Sequence, residues 1–225
     1  VIFDLFGTLV HELPRADFYA SVDAIADAVD VDRVAFRARW DASARDRQTG
    51  AFKDMGANVR AICQELGVSA TGESVAAGLE ARSAMYERWF RPRDGAIETL
   101  ATLRGRGYPL GLVSMCAPDT PALWRASPLG GSVDAEVFSS EVGLRKPDPA
   151  IYRLAAARLD VSSEGCVYVG DGAYGELTGA AAVGMEPYLL RDQLVDHEAM
   201  LTPERDAWTG AVIADLREVL ELVPR

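Results

Sequence analysis

Three short apolar runs, over residues 1–3, 110–113 and 166–169, stop at Asp4, at Ser114 and at Gly170-Asp171, with helix-period segments between them. Runs of this length bounded by glycine and polar residues read as buried strands, and their alternation with helices reads as a mostly parallel sheet. From residue 94 the pattern predicts a helix over 96–103 closed by Gly105 and Gly107, then the strand over 110–113. A short helix containing Leu123 and Trp124 leads to a strand near Val137-Phe138. A helix over 149–159, the strand over 166–169, a helical 180–183 before Gly184, and further strands at 188–190 and 211–213 complete it. The expected class is therefore α/β, a mostly parallel sheet with helices on both faces.

Between Pro14 and Pro92 the rhythm is helical instead. Phe18, Val22, Ile25 and Val29 recur at helical spacing, as do Val59, Ile62, Cys63 and Leu66, and then Val75, Leu79, Tyr86 and Trp89. One apolar face per segment predicts a small helical bundle, with Tyr86 and Trp89 in its core. The Arg-rich stretch from Arg33 to Arg47 interleaves Asp32, Asp41 and Asp46 and reads as a solvated helix face with local ion pairs; an anion-binding face is the alternative.

The totals narrow the partners. With 49% hydrophobic residues among 225, the chain can bury a core. A formal charge of -11 repels nucleic-acid phosphates and anionic bilayers, so neither is expected as a general partner. No apolar stretch approaches the ~20 residues of a membrane span, and no secretory leader is recognisable. Cys63, Cys116 and Cys166 are widely and irregularly spaced, which reads as reduced, isolated residues in a cytoplasmic setting. Oligomeric state is not legible.

Parallel strands end on one edge, so Asp4, Ser114, Lys146 and Asp171 are expected to share a crevice. Asp4 is a carboxylate positioned to attack an electrophile. Gly7 permits a sharp turn and, with Thr8, leaves amides free to cradle an anion. The Ser114 hydroxyl and the next amide, at Met115, supply donors for a phosphoryl oxygen. Lys146 sits in the turn Lys146-Pro147-Asp148-Pro149, with Asp148 and Pro149 as N-cap and first position of the next helix. Its ammonium can neutralise both the carboxylate and a substrate anion. Asp171 and Glu176, set among glycines, offer hard oxygen ligands for a cation such as Mg2+.

Asp4-Leu5-Phe6-Gly7-Thr8-Leu9, Ser114 after its strand, Lys146-Pro147-Asp148-Pro149 with Ile151-Tyr152, and Gly170-Asp171 through Glu176 with Gly179-Ala180 and Gly184-Met185 resemble the haloacid dehalogenase-like hydrolase superfamily. The resemblance implies a Rossmann-like core over 1–14 and 92–225 and a helical cap over 15–91. It also implies Asp4 as a nucleophile that forms an aspartyl-phosphate, Mg2+ held by Asp4, the Phe6 carbonyl and Asp171, with Glu176 nearby, and Ser114 and Lys146 holding the phosphoryl group.

One position departs from the family's phosphatase pattern. Most such phosphatases carry a second aspartate two residues after the nucleophile as general acid and base, where this chain has Phe6. Losing such a group typically forfeits about 10²- to 10⁴-fold in rate. His11 is a candidate substitute, although a lone histidine near a turn is more often structural. The expected function is a magnesium-dependent phosphatase of a small phosphate monoester. The alternatives are a 2-haloacid dehalogenase-type hydrolase, since such enzymes carry an aromatic at the place of Phe6, and a phospholigand-binding module without turnover. Substrate selection is expected from the glycine-bounded loop over 50–56, above all from Lys53 and Phe52.

Overall fold

The computed structural model describes residues 1–191 and 203–224. Six strands, β1 (Ile2–Phe3), β2 (Gly111–Ser114), β3 (Ala135–Phe138), β4 (Val167–Gly170), β5 (Glu186–Leu190) and β6 (Val212–Ile213), form one sheet in the order β3-β2-β1-β4-β5-β6. Every pairing is parallel. The chain builds outward from β1 to β3 on one side and then returns to place β4, β5 and β6 on the other. That reversal makes the ends of β1, β2 and β4 the switch point where such sheets open a crevice. The register sets Phe3 beside both Leu112 and Val169, so the residues following all three strands emerge together.

Helices α1 (Arg15–Ala28), α2 (Arg33–Ala42), α3 (Ala44–Gln48), α4 (Met55–Glu65) and α5 (Gly72–Trp89) follow β1. The remainder, α6 (Ala96–Gly105), α7 (Thr120–Ala126), α8 (Ser139–Val142), α9 (Pro149–Arg158), α10 (Glu176–Ala181), α11 (Pro203–Ala207) and α12 (Val219–Leu222), alternate with the strands. Strand and helix positions agree with the sequence pattern, except that α8, α11 and α12 carry too few residues for a period to show. Helix α10 also starts four residues earlier than the glycine-rich sequence suggested, so Glu176 opens a helix.

Side chains alternate across each strand, which splits the core into two apolar layers. Phe3, Leu112, Val169 and Leu190 pack with Leu100 and Leu103 of α6 on one face. Ile2, Val113, Tyr168 and Leu189 pack with Ile151, Tyr152 and Ala155 of α9 and with Leu177 of α10 on the other. The bundle has its own core, including Val22, Ile25, Phe36, Trp40, Val59, Ile62 and Val75. Gly78 lets α1 and α5 touch closely, for a Cβ there would lie 2.9 Å from the Ile25 Cα. Caps fix the helix starts: Asp32, Asp54, Thr71 and Asp148 each accept an N–H from the first turn of α2, α4, α5 and α9. All three cysteines are buried and free. Among the described residues, no helix is long and apolar enough to cross a membrane.

Candidate active site

Asp4 stands one residue beyond β1, tied down by its N–H to the Val169 carbonyl at 2.9 Å. The Lys146 ammonium donates to Asp4 Oδ1 and to Glu176 Oε2, each at 2.5 Å. Glu176 also accepts from the Tyr168 hydroxyl at 2.7 Å and from the Gly172 N–H at 3.0 Å. Its two oxygens are thus occupied in fixing Lys146 and the loop after β4. Asp4, Asp171 and Glu176 present carboxylate oxygens within 4.8 Å of one another, all buried.

Two glycines make this density of charge sterically feasible. A Cβ on Gly170 would fall 2.1 Å from Glu176 Oε1, and one on Gly7, whose φ is +74°, would fall 2.4 Å from Asp171 Oδ2. Apolar strands run directly into acids here, since at a strand end a side chain leaves the core yet stays shielded.

The electrostatics follow from crowding. Burial, reinforced by the Glu176 charge and opposed by Lys146, pushes the Asp4 carboxyl up to about 7. Asp171 is pushed well above the usual carboxylate range by burial and then by Glu176 and Asp4. Burial alone would lower the Lys146 pKa, but Asp4 and Glu176 outweigh it and the ammonium is retained. Three carboxylates around one ammonium leave an excess of negative charge. An all-oxygen donor set with that excess fits Mg2+, which takes one or two carboxylates and keeps its waters.

A cavity of about 320 Å³ lies between this cluster and the helical bundle. Asp4, Phe6, Met115 and Asp171 line it from the sheet edge; Tyr19, Arg47, Gln48, Arg82 and Tyr86 line it from the helices. Lys146 and Ser114 are buried and off the wall, and the Ser114 hydroxyl has no partner. That hydroxyl is a buried donor without an acceptor among the described residues, one residue before Met115 on the wall. Thr8 is turned inward, its hydroxyl 3.3 Å from Asp4 Oδ2, so it steadies the carboxylate. The Phe6 ring meets Phe90 edge-on at 5.7 Å and Tyr86 at 6.4 Å, docking the loop after β1 onto α5.

Several sequence expectations need correction. Lys53 is exposed and Phe52 half-buried, and neither is on the cavity wall; Gly50 (φ +79°), where a Cβ would fall 2.6 Å from the Ser140 carbonyl oxygen, holds the loop against the core instead. His11 is exposed and also off the wall, whereas its neighbour Glu12 lines it. Burial raises the Glu12 carboxyl above its ordinary range against the pull of Arg205 and Arg93. The Arg-rich stretch divides: Arg33 and Arg37 do form ion pairs, but with Asp27 and Asp23 of α1 rather than with the interleaved acids, and Arg47 is buried. Spacing held the clue, for Arg47 lies seven residues after the buried Trp40. Likewise Arg82 continues the stripe Val75, Leu79, Tyr86 and is buried like Val75 and Tyr86, with Leu79 half-buried. Tyr86 is both bundle core and cavity wall.

The chain matches the haloacid dehalogenase-like hydrolase family over residues 1–184. It is 30% identical over 224 residues to the ribulose-1,5-bisphosphate 5-phosphatase of Halopiger xanaduensis, covering 92% of this chain and 90% of that protein. It is 31% identical over 132 residues to the glyceraldehyde 3-phosphate phosphatase of Methanopyrus kandleri, covering 58% and 56%. The matched region thus spans under two thirds of that relative. Among solved structures, a HAD phosphatase from Thermococcus onnurineus superposes with a TM-score of 0.66 at 21% identity, over 98% of this chain and 95% of that one. A dehalogenase superposes at 0.63, also at 21% identity, over 100% and 96%, so the fold alone does not divide the two chemistries. By its family match, its doubly wound parallel sheet and the acids at its switch point, this chain belongs to the haloacid dehalogenase-like hydrolases.

Proposed function

We propose that the protein is a magnesium-dependent phosphatase of a small phosphate monoester, with 1–14 and 92–225 as the cytoplasmic enzyme's catalytic core and 15–91 as a cap over the site. The observation that carries this reading is the meeting of two buried carboxylates, Asp4 and Asp171, beside one buried ammonium. A haloacid dehalogenase-type reaction has no use for that excess of negative charge. The relatives named for phosphatase activity on small sugar phosphates support the same class.

Asp4 attacks phosphorus in line, its oxygen forming the new P–O bond as the ester P–O bond breaks. Lys146, oriented by Glu176, offsets the charge that builds between nucleophile and phosphoryl group, and the Ser114 hydroxyl donates to a phosphoryl oxygen. The Met115 amide, at the end of β2, and the Gly7 amide are the further donors to the phosphoryl group; the Thr8 N–H, expected to join them, is instead spent on the Leu5 carbonyl at 3.3 Å. Magnesium, held by Asp4, Asp171 and the Phe6 carbonyl, would neutralise phosphoryl oxygens and relieve their repulsion from the carboxylates. Water then cleaves the aspartyl-phosphate. Phe6 carries no proton, and Glu12 on the same wall, with its raised carboxyl pKa, takes over protonation of the leaving oxygen.

A panel of phosphate monoesters and 2-haloacids, assayed with magnesium and with chelator, tests this. Ester hydrolysis that chelator abolishes and Asp4→Asn removes is expected. Haloacid turnover indifferent to chelator would replace the reading with dehalogenation, and ester binding without turnover would replace it with a binding module.

A further inference from the structure

Opposite the acids, the cavity wall carries charge of the other sign. Arg47 and Arg82 are 6% and 3% exposed, and both lie over the Trp40 ring, at 4.2 and 5.5 Å from its centroid. Arg47 spends Nη1 on three neutral acceptors, the Trp40 carbonyl, Ser43 Oγ and Asn58 Oδ1, all at 3.0 Å. Among the described residues it forms no ion pair with a carboxylate. Arg82 binds Asp119 through Nε at 2.6 Å and Nη2 at 3.3 Å, and donates from Nη2 to the Tyr86 hydroxyl at 2.8 Å. Its Nη1 is buried with no partner among the described residues.

Asp119 pairs with Arg82 alone, and Asp41 on the same wall acts on Arg47 only from a distance, so among the described residues Arg47 is left with neutral acceptors and Arg82 Nη1 with none, in a place shielded from water. Burying such a charge without a counter-ion is costly, and an unpaired guanidinium N–H adds to the cost. The strain registers on Arg47, whose pKa burial and the neighbouring Arg82 lower to about 10. A ligand anion that bridged the two would supply the missing acceptor and the missing charge together, in the forked geometry that guanidinium offers to carboxylate and phosphate.

We propose that Arg47 and Arg82 form a second anion subsite, so that the ester cleaved at Asp4 bears a further carboxylate or phosphoryl group within the span of the 320 Å³ cavity. This rests on the phosphatase reading above. The two guanidiniums select the substrate by its far end while Asp4 acts on the near one.

The test uses the full chain with magnesium and matched pairs of esters. One pair is O-phosphoglycolate and its carboxamide; the other is 1,3-propanediol bisphosphate and 3-hydroxypropyl phosphate. The expected result is a kcat/KM about 10- to 100-fold higher for the member with the second anion, and the pair with the larger ratio identifies carboxylate or phosphoryl as the preferred group. Arg47→Gln should cut the ratio to about threefold or less, and Arg47→Lys should restore part of it. Turnover of the esters with equal kcat/KM within both pairs overturns the subsite and leaves the phosphatase reading standing. This wild-type comparison decides the matter even if a variant fails to fold. Calorimetric titration with phosphonoacetate against methylphosphonate needs no turnover. Tighter binding of phosphonoacetate, lost in Arg47→Gln, supports the subsite even in a protein that cleaves no ester, and equal binding of the two overturns it.

Discussion

The two walls of the cavity are charged in opposite ways and stabilised in opposite ways. On the sheet edge, Asp4, Asp171 and Glu176 cluster at Lys146, and the excess negative charge is met by holding protons: Asp4 is raised to about 7 and Asp171 well above the usual carboxylate range. On the helical wall, Arg82 pairs with Asp119 while Arg47 meets neutral oxygens, and arginine cannot usefully shed its proton, so the charge is held against the Trp40 ring and those oxygens. A carboxylate cluster can wait for its cation by titrating. A guanidinium cluster waits only by packing, which is why it sits against aromatic rings.

The most drastic way to break the contrast is Asp4→Asn, which removes the nucleophile while Lys146 keeps Glu176 as a partner. Turnover should fall by about 10⁴-fold or more with the fold retained, as read by steady-state rates and circular dichroism. Lys146→Met takes away the sole ammonium and leaves Asp4 and Glu176 facing one another. Stability should drop by about 3–5 kcal/mol in urea denaturation at pH 8, a loss the surface pair Arg33–Asp27 would not show if cut.

Glu12→Gln probes the proton route. For esters with poor leaving groups kcat should fall about 10²-fold and its pH dependence flatten, while an activated ester such as 4-nitrophenyl phosphate should be far less affected. An equal loss for both esters would remove Glu12 from proton transfer.

The smallest effect concerns metal-free protein. Because the folded Asp4 and Asp171 hold protons that the unfolded chain has released, stability from these groups is greatest below their unfolded pKa near 4. It is lost as pH rises through the folded pKa values, about 7 for Asp4 and well above the usual carboxylate range for Asp171. Asp171→Asn, whose side-chain oxygen can still accept the Ala173 N–H, should therefore raise metal-free stability at pH 8 by about 1–2 kcal/mol. Added magnesium should remove the wild-type slope and leave the variant unmoved. A thermal midpoint lowered by this substitution would show that the carboxylates are not in conflict.

Strand and helix placement were readable where a period had room to repeat, as in 110–113, 149–159 and 166–169. Asp4, Asp171 and Lys146 were readable because each follows an apolar run or stands in a proline-bound turn, a pattern with a chemical reason. Lys53 and His11 misled for a common cause: charge and loop position say that a side chain can reach solvent or substrate, but not which. Arg47 and Arg82 were hidden by their chemistry, since a positive residue on an otherwise apolar stripe is ordinarily a surface residue.

The amino-acid order alone determined the parallel sheet, the helical insertion after the first strand and the acids at the strand ends, because short-range periodicity and strand termination are local. Only the tertiary structure decided that Glu176 secures Lys146, that Glu12 rather than His11 faces the cavity, and that two buried guanidiniums oppose the carboxylates. Those outcomes depend on burial and on distances between residues far apart in the chain, which no local pattern encodes.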